Sequence, residues 1–187
     1  MTKVILFGER KDRRLAEFLL RNLSKFFHVC FYHNSDSLVE FGEGEELLVI
    51  KTDSVYRAFS KDTIILLLPS AHPEMLETIT GSVFFVVLSS MHAQLRKLAQ
   101  KGISAVTCGL SGKDTVTVSS YFENNITIAL QRELRTVNGE LIEPMEFLFQ
   151  TKGKTDQNDV MMLASLLLLT GALNVEKTGE LSRIYLS

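Results

Sequence analysis

The residues of this 187-residue chain that are best suited to bind a ligand follow its first apolar stretch. Val4–Gly8 predicts a buried strand, and a helical pattern begins within the next few residues. Gly8, Arg10 and Lys11 lie in the turn between them, where backbone N–H groups, a helix N-terminus and two cations favour an anion. The turn predicts a site for a small anionic ligand or a nucleotide; a solvated, charged entry to the helix is the alternative interpretation.

Four further polar residues, Asp53, Ser70, Ser89 and His92, follow later predicted strands. If these strands are parallel, their carboxyl ends share one edge of the sheet, where open α/β sheets bind ligands. We group Asp53, Ser89 and His92 with the turn after the first strand as candidate ligand-binding residues. No orienting partner for His92 is visible in the sequence, so we assign no catalytic residue.

A second fragment that is typical of phosphate loops is Gly153-Lys154-Thr155, between a predicted strand and the last predicted helix. The complete pattern requires a glycine at position 148, which is Leu148 here. Two interpretations remain open: a connecting loop that ends in an Asp156 helix cap, and a second phosphate site.

The histidines and cysteines do not form a recognisable metal motif. His28, Cys30 and His33 lie along one predicted strand, but their spacing is not that of a zinc site and no second ligand pair follows. Cys30 and Cys108 are interpreted as two buried thiols in a reducing compartment. We therefore expect no metal site and no cofactor.

The composition is typical of a soluble globular protein, with 45% hydrophobic residues, 22% charged residues and a formal charge of −2. This charge argues against a nucleic-acid-binding surface, which is normally basic. The apolar run Val160–Leu169 is too short to cross a membrane, and the N-terminus does not resemble a signal peptide. We expect a cytoplasmic protein with neither a nucleic-acid nor a membrane partner.

The elements that must position these residues alternate between strands and helices up to about residue 110. Their near-continuous apolar strands predict an α/β fold with a mostly parallel, Rossmann-like or P-loop-like three-layer sheet. Within this part, the first helix is predicted over Asp12–Phe27 and short helices through Phe59 and over Glu74–Thr80. Ser89 or Ser90 is predicted to cap the helix after the fifth strand.

From about residue 111 to 187, the pattern changes to antiparallel strands. They are predicted over Thr115–Val118, Ile126–Arg132 and Met145–Gln150, with a hairpin at Asn138-Gly139. A final helix over Asp156–Thr170 is apolar on most sides, which indicates a core helix and also allows a homodimer. The whole chain, 1–187, is predicted to be a single domain.

The second half of the chain resembles the central, ATP-binding domain of the Mur ligase family, whose members join amino acids to peptidoglycan precursors. Val106-Thr107-Cys108-Gly109-Leu110 is similar to the V-T-Y-G-L strand end of that family, and the hairpins that follow match its order of elements. The last helix is similar to the family's N-x-x-N-x-L-A-A helix through Asn158, Leu163, Ala164 and Gly171. The resemblance covers roughly Val83–Gly171.

The departures from the family pattern concern the residues that its chemistry needs. The family's phosphate loop resembles G-T-x-G-K-T, where this chain has Gly8-Glu9-Arg10-Lys11-Asp12, so only the first glycine matches. The family's N-x-D-D is replaced by Ser89-Ser90-Met91-His92, and the second helix asparagine is Met161. A full ligase also has a substrate domain and a C-terminal domain, for which we expect no room in this chain.

Three functions are consistent with these observations. The first is a non-catalytic binding or regulatory module on a degenerate Mur-ligase-like fold, which is not an enzyme. The second is a nucleotide- or sugar-nucleotide-binding enzyme with a non-standard anion site at the strand ends. The third is a subunit that acts through protein contacts.

Overall fold

The computed structural model describes residues 1–9, 11–33, 37–53, 62–74, 83–173 and 183–187. Along the chain its elements are β1 (Thr2–Phe7), α1 (Arg14–Leu23), β2 (Phe27–His33), β3 (Ser37–Phe41), β4 (Glu45–Thr52), β5 (Thr63–Leu67), β6 (Phe84–Leu88), α2 (His92–Gln100), β7 (Ala105–Cys108), β8 (Val116–Phe122), β9 (Asn125–Leu130), β10 (Leu134–Arg135), β11 (Leu141–Ile142), β12 (Met145–Gln150), α3 (Gln157–Leu169) and β13 (Ile184–Tyr185). The predicted short helices through Phe59 and over Glu74–Thr80 lie outside the described residues, except for Glu74.

One large sheet organises the fold, with the strand order β13-β12-β9-β8-β7-β6-β5-β1-β4-β2-β3. The strands from β7 to β2 in this order are parallel to their neighbours. Strands β8, β9 and β12 pair antiparallel with one another, as β3 does with β2. The sheet confirms the predicted α/β class, with a mostly parallel first part and antiparallel strands in the C-terminal half.

Helices cover both faces of the parallel strands, which explains why these strands are almost continuously apolar. On one face, Leu19 of α1 and Leu166 of α3 share a core cluster with Leu66 of β5. On the other face, Leu98 of α2 packs in a second cluster with Leu67. No helix within the described ranges has the length and apolar character needed to span a membrane.

The last helix agrees closely with its prediction because its ends are specified locally. The Asp156 carboxylate accepts a hydrogen bond of 2.9 Å from the Asn158 N–H and caps α3. Gly171 follows the helix with a φ of +75°, a conformation that glycine adopts without strain. The predicted hairpin is also present: Gly139 has a φ of +88°, and the flanking β10 and β11 pair as a separate two-stranded sheet.

The first helix is shorter than predicted. It covers Arg14–Leu23 rather than Asp12–Phe27, because the chain turns after Leu23 and Phe27 already belongs to β2. The prediction also missed β3, whose pairing with β2 joins Val29 to Phe41. This short strand is stabilised by backbone pairing with its neighbour, which local sequence does not reveal.

The predicted cap of α2 is wrong. The N-cap residue is Met91, which makes no side-chain cap hydrogen bond. The hydroxyl of Ser89 instead donates to Asp114 Oδ2 at 3.2 Å. The Ser89 hydroxyl, which the local pattern assigned to the helix cap, is therefore bonded to Asp114 on the loop after β7.

Cys108, at the end of β7, is expected to make the free energy of unfolding decrease at alkaline pH. Its buried Sγ lies 3.1 Å from Ser165 Oγ, and burial raises the pKa of the thiol from 9.0 to about 12. Between these values the native state keeps a proton that the unfolded chain releases, so stability falls as pH rises. We expect Cys108→Ala to abolish a loss of about 1.4 kcal/mol between pH 8 and pH 10 in urea unfolding. Wild type and variant with parallel pH profiles would contradict this expectation.

Candidate functional site

The candidate site lies where the strand order reverses around β1. In the strand order, β2 lies on one side of β1, beyond β4. The chain after β5, which is the neighbour of β1 on its other side, continues to β6 in the opposite direction. In open α/β sheets, ligands bind in the crevice that this reversal creates at the carboxyl ends of the strands. Gly8 follows β1 and Ser70 follows β5 at this crevice, which we call the switch crevice.

Side chains of the protein itself occupy the switch crevice. Ser70 Oγ accepts a hydrogen bond of 3.1 Å from the Glu9 N–H and donates one of 2.9 Å to Asp12 Oδ2. A Cβ atom added at Gly8 would lie 2.7 Å from Leu68 Cβ and 2.8 Å from Ser70 Oγ. Gly8 is therefore needed so that β1 and the loop after β5 can pack together.

Lys51 supports the same turn from the end of β4. Its side chain is buried, and its Nζ donates to the Glu9 carbonyl oxygen at 2.8 Å. Burial lowers the pKa of this lysine. No role was predicted for Lys51 from the sequence. A lysine at the end of the apolar run Leu47–Ile50 was nevertheless a signal that its side chain has a structural partner.

An ion pair joins the N-termini of α1 and α3 beside the turn. Arg14 donates to both carboxylate oxygens of Asp159, with its Nη2 3.0 Å from Oδ1, and lies 3.7 Å from Asp156 Oδ2. Asp159 is buried, and burial raises the pKa of its carboxyl while Arg14 opposes that shift. An acidic residue opening a mostly apolar helix was the available signal, but its partner 145 residues away was not predictable.

The predicted ligand-binding residues are only partly brought together. Gly8 and Asp53 follow neighbouring strands, and the Gly8 N–H donates to the Thr52 carbonyl at 3.0 Å. Ser89 and His92 follow β6, two strands from β1 and so roughly 10 Å away. His92 and Lys11 are exposed, and Arg10 lies outside the described residues.

Ser89 belongs to a separate network on the loop after β7. Its partner Asp114 is buried and also accepts a hydrogen bond of 3.0 Å from the Ser111 N–H. Gly109 lies against both groups, since an added Cβ would overlap Ser89 Oγ and Asp114 Oδ2. These contacts stabilise the loop after β7. The Ser89 hydroxyl, which was expected to face a ligand, is bonded to Asp114 instead.

Two clefts adjoin α1. The first, of about 310 Å³, is lined by Arg13, Glu17, His33 and Lys51 and by apolar residues such as Phe31. The second, of about 580 Å³, is lined by Arg14, Tyr121 and the residues Lys154–Asn158. Lys154 and Thr155 border this cleft, and Asp156 caps α3, as the interpretation of a connecting loop predicted.

Comparison with known proteins identifies the fold. No protein-family model matches the sequence, and no curated protein matches it. In structure, the chain is similar to ligases of the Mur type.

One such structure is a murein peptide ligase Mpl from Psychrobacter arcticus 273-4, with a TM-score of 0.57 and 11% identity over 90% of this chain and 44% of that one. Another is the MurF ligase of Thermotoga maritima in complex with ADP, with a TM-score of 0.50 and 16% identity over 92% of this chain and 45% of that one. This chain spans less than half the length of either ligase, and at these identities the likeness shows the fold alone.

Proposed function

We propose that this chain is a non-catalytic binding or regulatory module on a Mur-ligase-like fold, without ATP-dependent ligase activity. The observation that carries the proposal is the filled switch crevice, in which Ser70 and Lys51 satisfy the backbone of Glu9. In the described part of the turn, the N–H groups of Gly8, Glu9 and Asp12 are all bonded within the chain.

The hydrogen bonds of the turn favour the same conclusion. A phosphate site needs backbone N–H groups that point at the ligand. Here the Glu9 N–H is directed to Ser70, and the Asp12 carboxylate accepts from the same hydroxyl. The carboxylates of Glu9 and Asp12 also belong to this turn, and like charges repel.

The residue types at the helix entry support this argument. Counted from Gly8, the family pattern G-T-x-G-K-T requires glycine, lysine and threonine at positions 11, 12 and 13. This chain has Lys11, Asp12 and Arg13 there. A carboxylate therefore replaces the lysine that would bind phosphate, and it accepts a hydrogen bond from Ser70 Oγ.

A direct test is calorimetric titration of the chain with ATP and magnesium, together with an assay for phosphate release. We expect no saturable binding up to millimolar ATP and no hydrolysis, because Ser70 and Lys51 already bond to the backbone of Glu9 in the crevice. The Thermotoga MurF structure contains ADP on a similar fold, so retained nucleotide binding is the alternative. Micromolar ATP–magnesium binding that is lost in Lys154→Ala, which borders the second cleft, would overturn the proposal.

The first cleft beside α1 favours a second candidate function, the binding of a nucleotide or sugar nucleotide at a non-standard anion site. Its volume of about 310 Å³ and its combination of charged and apolar walls, with Arg13 among the charged residues, are typical of small-ligand sites. Thermal-shift screening with inorganic phosphate, nucleotides and UDP-sugars distinguishes the candidates. A stabilisation lost in Arg13→Ala and kept in Arg96→Ala, an exposed arginine on α2, would support the second candidate. No shift with any probe would leave it without support.

A further inference from the structure

Three potential metal ligands meet on the strands β2 and β3. His28 and Cys30 are two residues apart on β2, so their side chains lie on one face, opposite the buried Val29. Glu40 is the register partner of Cys30 on β3 and therefore lies on the same face. One ligand atom from each of the three residues lies within 4.8 Å of the others.

The orientation of His28 leaves one ring nitrogen available for a cation. Its Nδ1 lies 3.1 Å from the Gly42 carbonyl oxygen, which can only accept, so Nδ1 carries the proton and donates it. Nε2 then presents its lone pair toward Glu40, whose Oε2 is 3.9 Å away. A histidine that donates its second N–H to a backbone carbonyl is the usual arrangement in protein metal sites.

The position of this carbonyl is fixed by the backbone. Gly42 has a φ of +76°, and an added Cβ would overlap the carbonyl oxygens of Ser24 and Phe27. Only glycine therefore allows the chain after β3 to approach the start of β2 so closely. The His28 ring is therefore oriented by the Gly42 carbonyl, which does not belong to the cluster.

A second carboxylate lies close to the cluster. Glu46 is the register partner of His28 on β4, so it lies on the same face of the sheet. Burial, followed by the charges of Glu40 and Glu46, raises the pKa of the Cys30 thiol. The two carboxylates create a negative field at the thiol, which favours a bound cation.

We propose that His28 Nε2, Cys30 Sγ and the Glu40 carboxylate bind one divalent cation of the zinc class, which links β3 to β2. Nitrogen, sulfur and oxygen ligands suit zinc, and three protein ligands leave a fourth position for water or Glu46. Tetrahedral coordination needs ligand atoms roughly 3.3–3.6 Å apart, so modest side-chain rotations complete the site. On binding, the Cys30 thiol releases its proton to solvent.

The site is independent of the proposed function, since it lies on strands away from the switch crevice. No metal was expected from the sequence because Glu40 lies on β3, a strand that was not predicted, so its pairing with Cys30 was not foreseen. The cluster is accessible: the side chains of His28 and Glu40 are 31% and 57% exposed. Cys30, which was expected to be buried, is partly exposed.

The test is titration of the reduced full chain with cobalt(II), followed by competition with zinc(II). We expect one equivalent of cobalt to give tetrahedral d–d bands and a thiolate-to-cobalt charge-transfer band, both lost when zinc is added. Cys30→Ser should abolish the charge-transfer band, and Glu40→Gln should weaken zinc binding at least about tenfold, as expected for loss of a metal ligand.

Matched controls keep the result interpretable. Glu43→Gln removes a nearby exposed carboxylate outside the cluster, and Cys108→Ala removes the other thiol; both should retain wild-type spectra and affinity. Circular dichroism of each variant checks that it is folded. Absence of a charge-transfer band in the wild type, or its persistence in Cys30→Ser, would overturn the proposal. Equal zinc affinity of wild type and Glu40→Gln would also overturn it.

Discussion

Replacing Arg14 with alanine is expected to lower the free energy of unfolding by about 2–3 kcal/mol at pH 7, because it leaves the buried Asp159 carboxylate without its partner. The cost should be smaller than the roughly 3–5 kcal/mol typical of breaking a fully buried pair. The reason is that the Arg14 side chain is 66% exposed. Urea unfolding followed by circular dichroism measures the change. The pair holds α1 against α3, so its loss also loosens the entry to the switch crevice.

The effect should depend on pH in a defined direction. Burial raises the pKa of Asp159 above its ordinary 3.8, and Arg14 acts against this shift. A carboxyl with a raised pKa contributes stability in its protonated form, and the contribution is lost as pH rises through the raised pKa. Without Arg14 the pKa rises further, so the deficit of Arg14→Ala should be smaller near pH 4 than at pH 7.

Two further variants show whether the pair itself is responsible. Arg13→Ala removes the neighbouring exposed arginine, and we expect it to change stability by no more than about 0.5 kcal/mol. The double variant Arg14→Ala/Asp159→Asn should recover part of the loss, because a neutral amide is less costly to bury than a carboxylate. Equal effects of Arg13→Ala and Arg14→Ala, or strict additivity in the double variant, would contradict the explanation.

Replacing Gly109 with alanine is expected to destabilise the protein by about 3 kcal/mol. The added methyl group would overlap Ser89 Oγ and Asp114 Oδ2, so it must break their hydrogen bond or displace the loop after β7. Overpacking a tight site typically costs about 1–3 kcal/mol, and disturbing the buried Asp114 carboxylate adds to that cost. The midpoint of urea unfolding measures the effect.

The same turn supplies its own control. Gly112 has open space around its Cα, and a Cβ there would meet no atom within 4 Å. Gly112→Ala should therefore leave stability nearly unchanged or raise it slightly, since it restricts the unfolded chain. Equal losses in the two variants would mean that the Ser89–Asp114 contact does not require glycine at position 109. If the expectation holds, the glycine of the V-T-x-G-L strand end has a packing role in this chain.

Local features of the sequence predicted most of the fold. The near-continuous apolar strands up to about residue 110 identified the parallel part of the sheet, and Asp156 and Gly171 located the ends of α3. These predictions succeeded because strand burial and helix capping depend on residues close in the chain. The missed β3 and the misassigned Ser89 both depend on partners supplied by other elements.

The candidate site was predicted less completely for the same reason. The sequence located the turn at Gly8 and placed Ser70 at the same edge of the sheet, but it did not predict the hydrogen bonds that fill the crevice. Ser70 is 61 residues from Glu9, whose N–H donates a hydrogen bond to the Ser70 hydroxyl. Lys51, at the end of β4, donates to the carbonyl oxygen of the same residue. Such contacts depend on strand order, which brings β4 and β5 to either side of β1.

By itself, the amino-acid sequence determined the fold class, the positions of most strands and the charged character of the turn after β1. Only the tertiary structure decided that Ser70 and Asp12 close this turn, that Arg14 pairs with Asp159, and that Glu40 lies beside His28 and Cys30. The physical reason is range: propensity, periodicity and capping act within a few residues, whereas hydrogen bonds and ion pairs between side chains require the sheet to bring distant segments together.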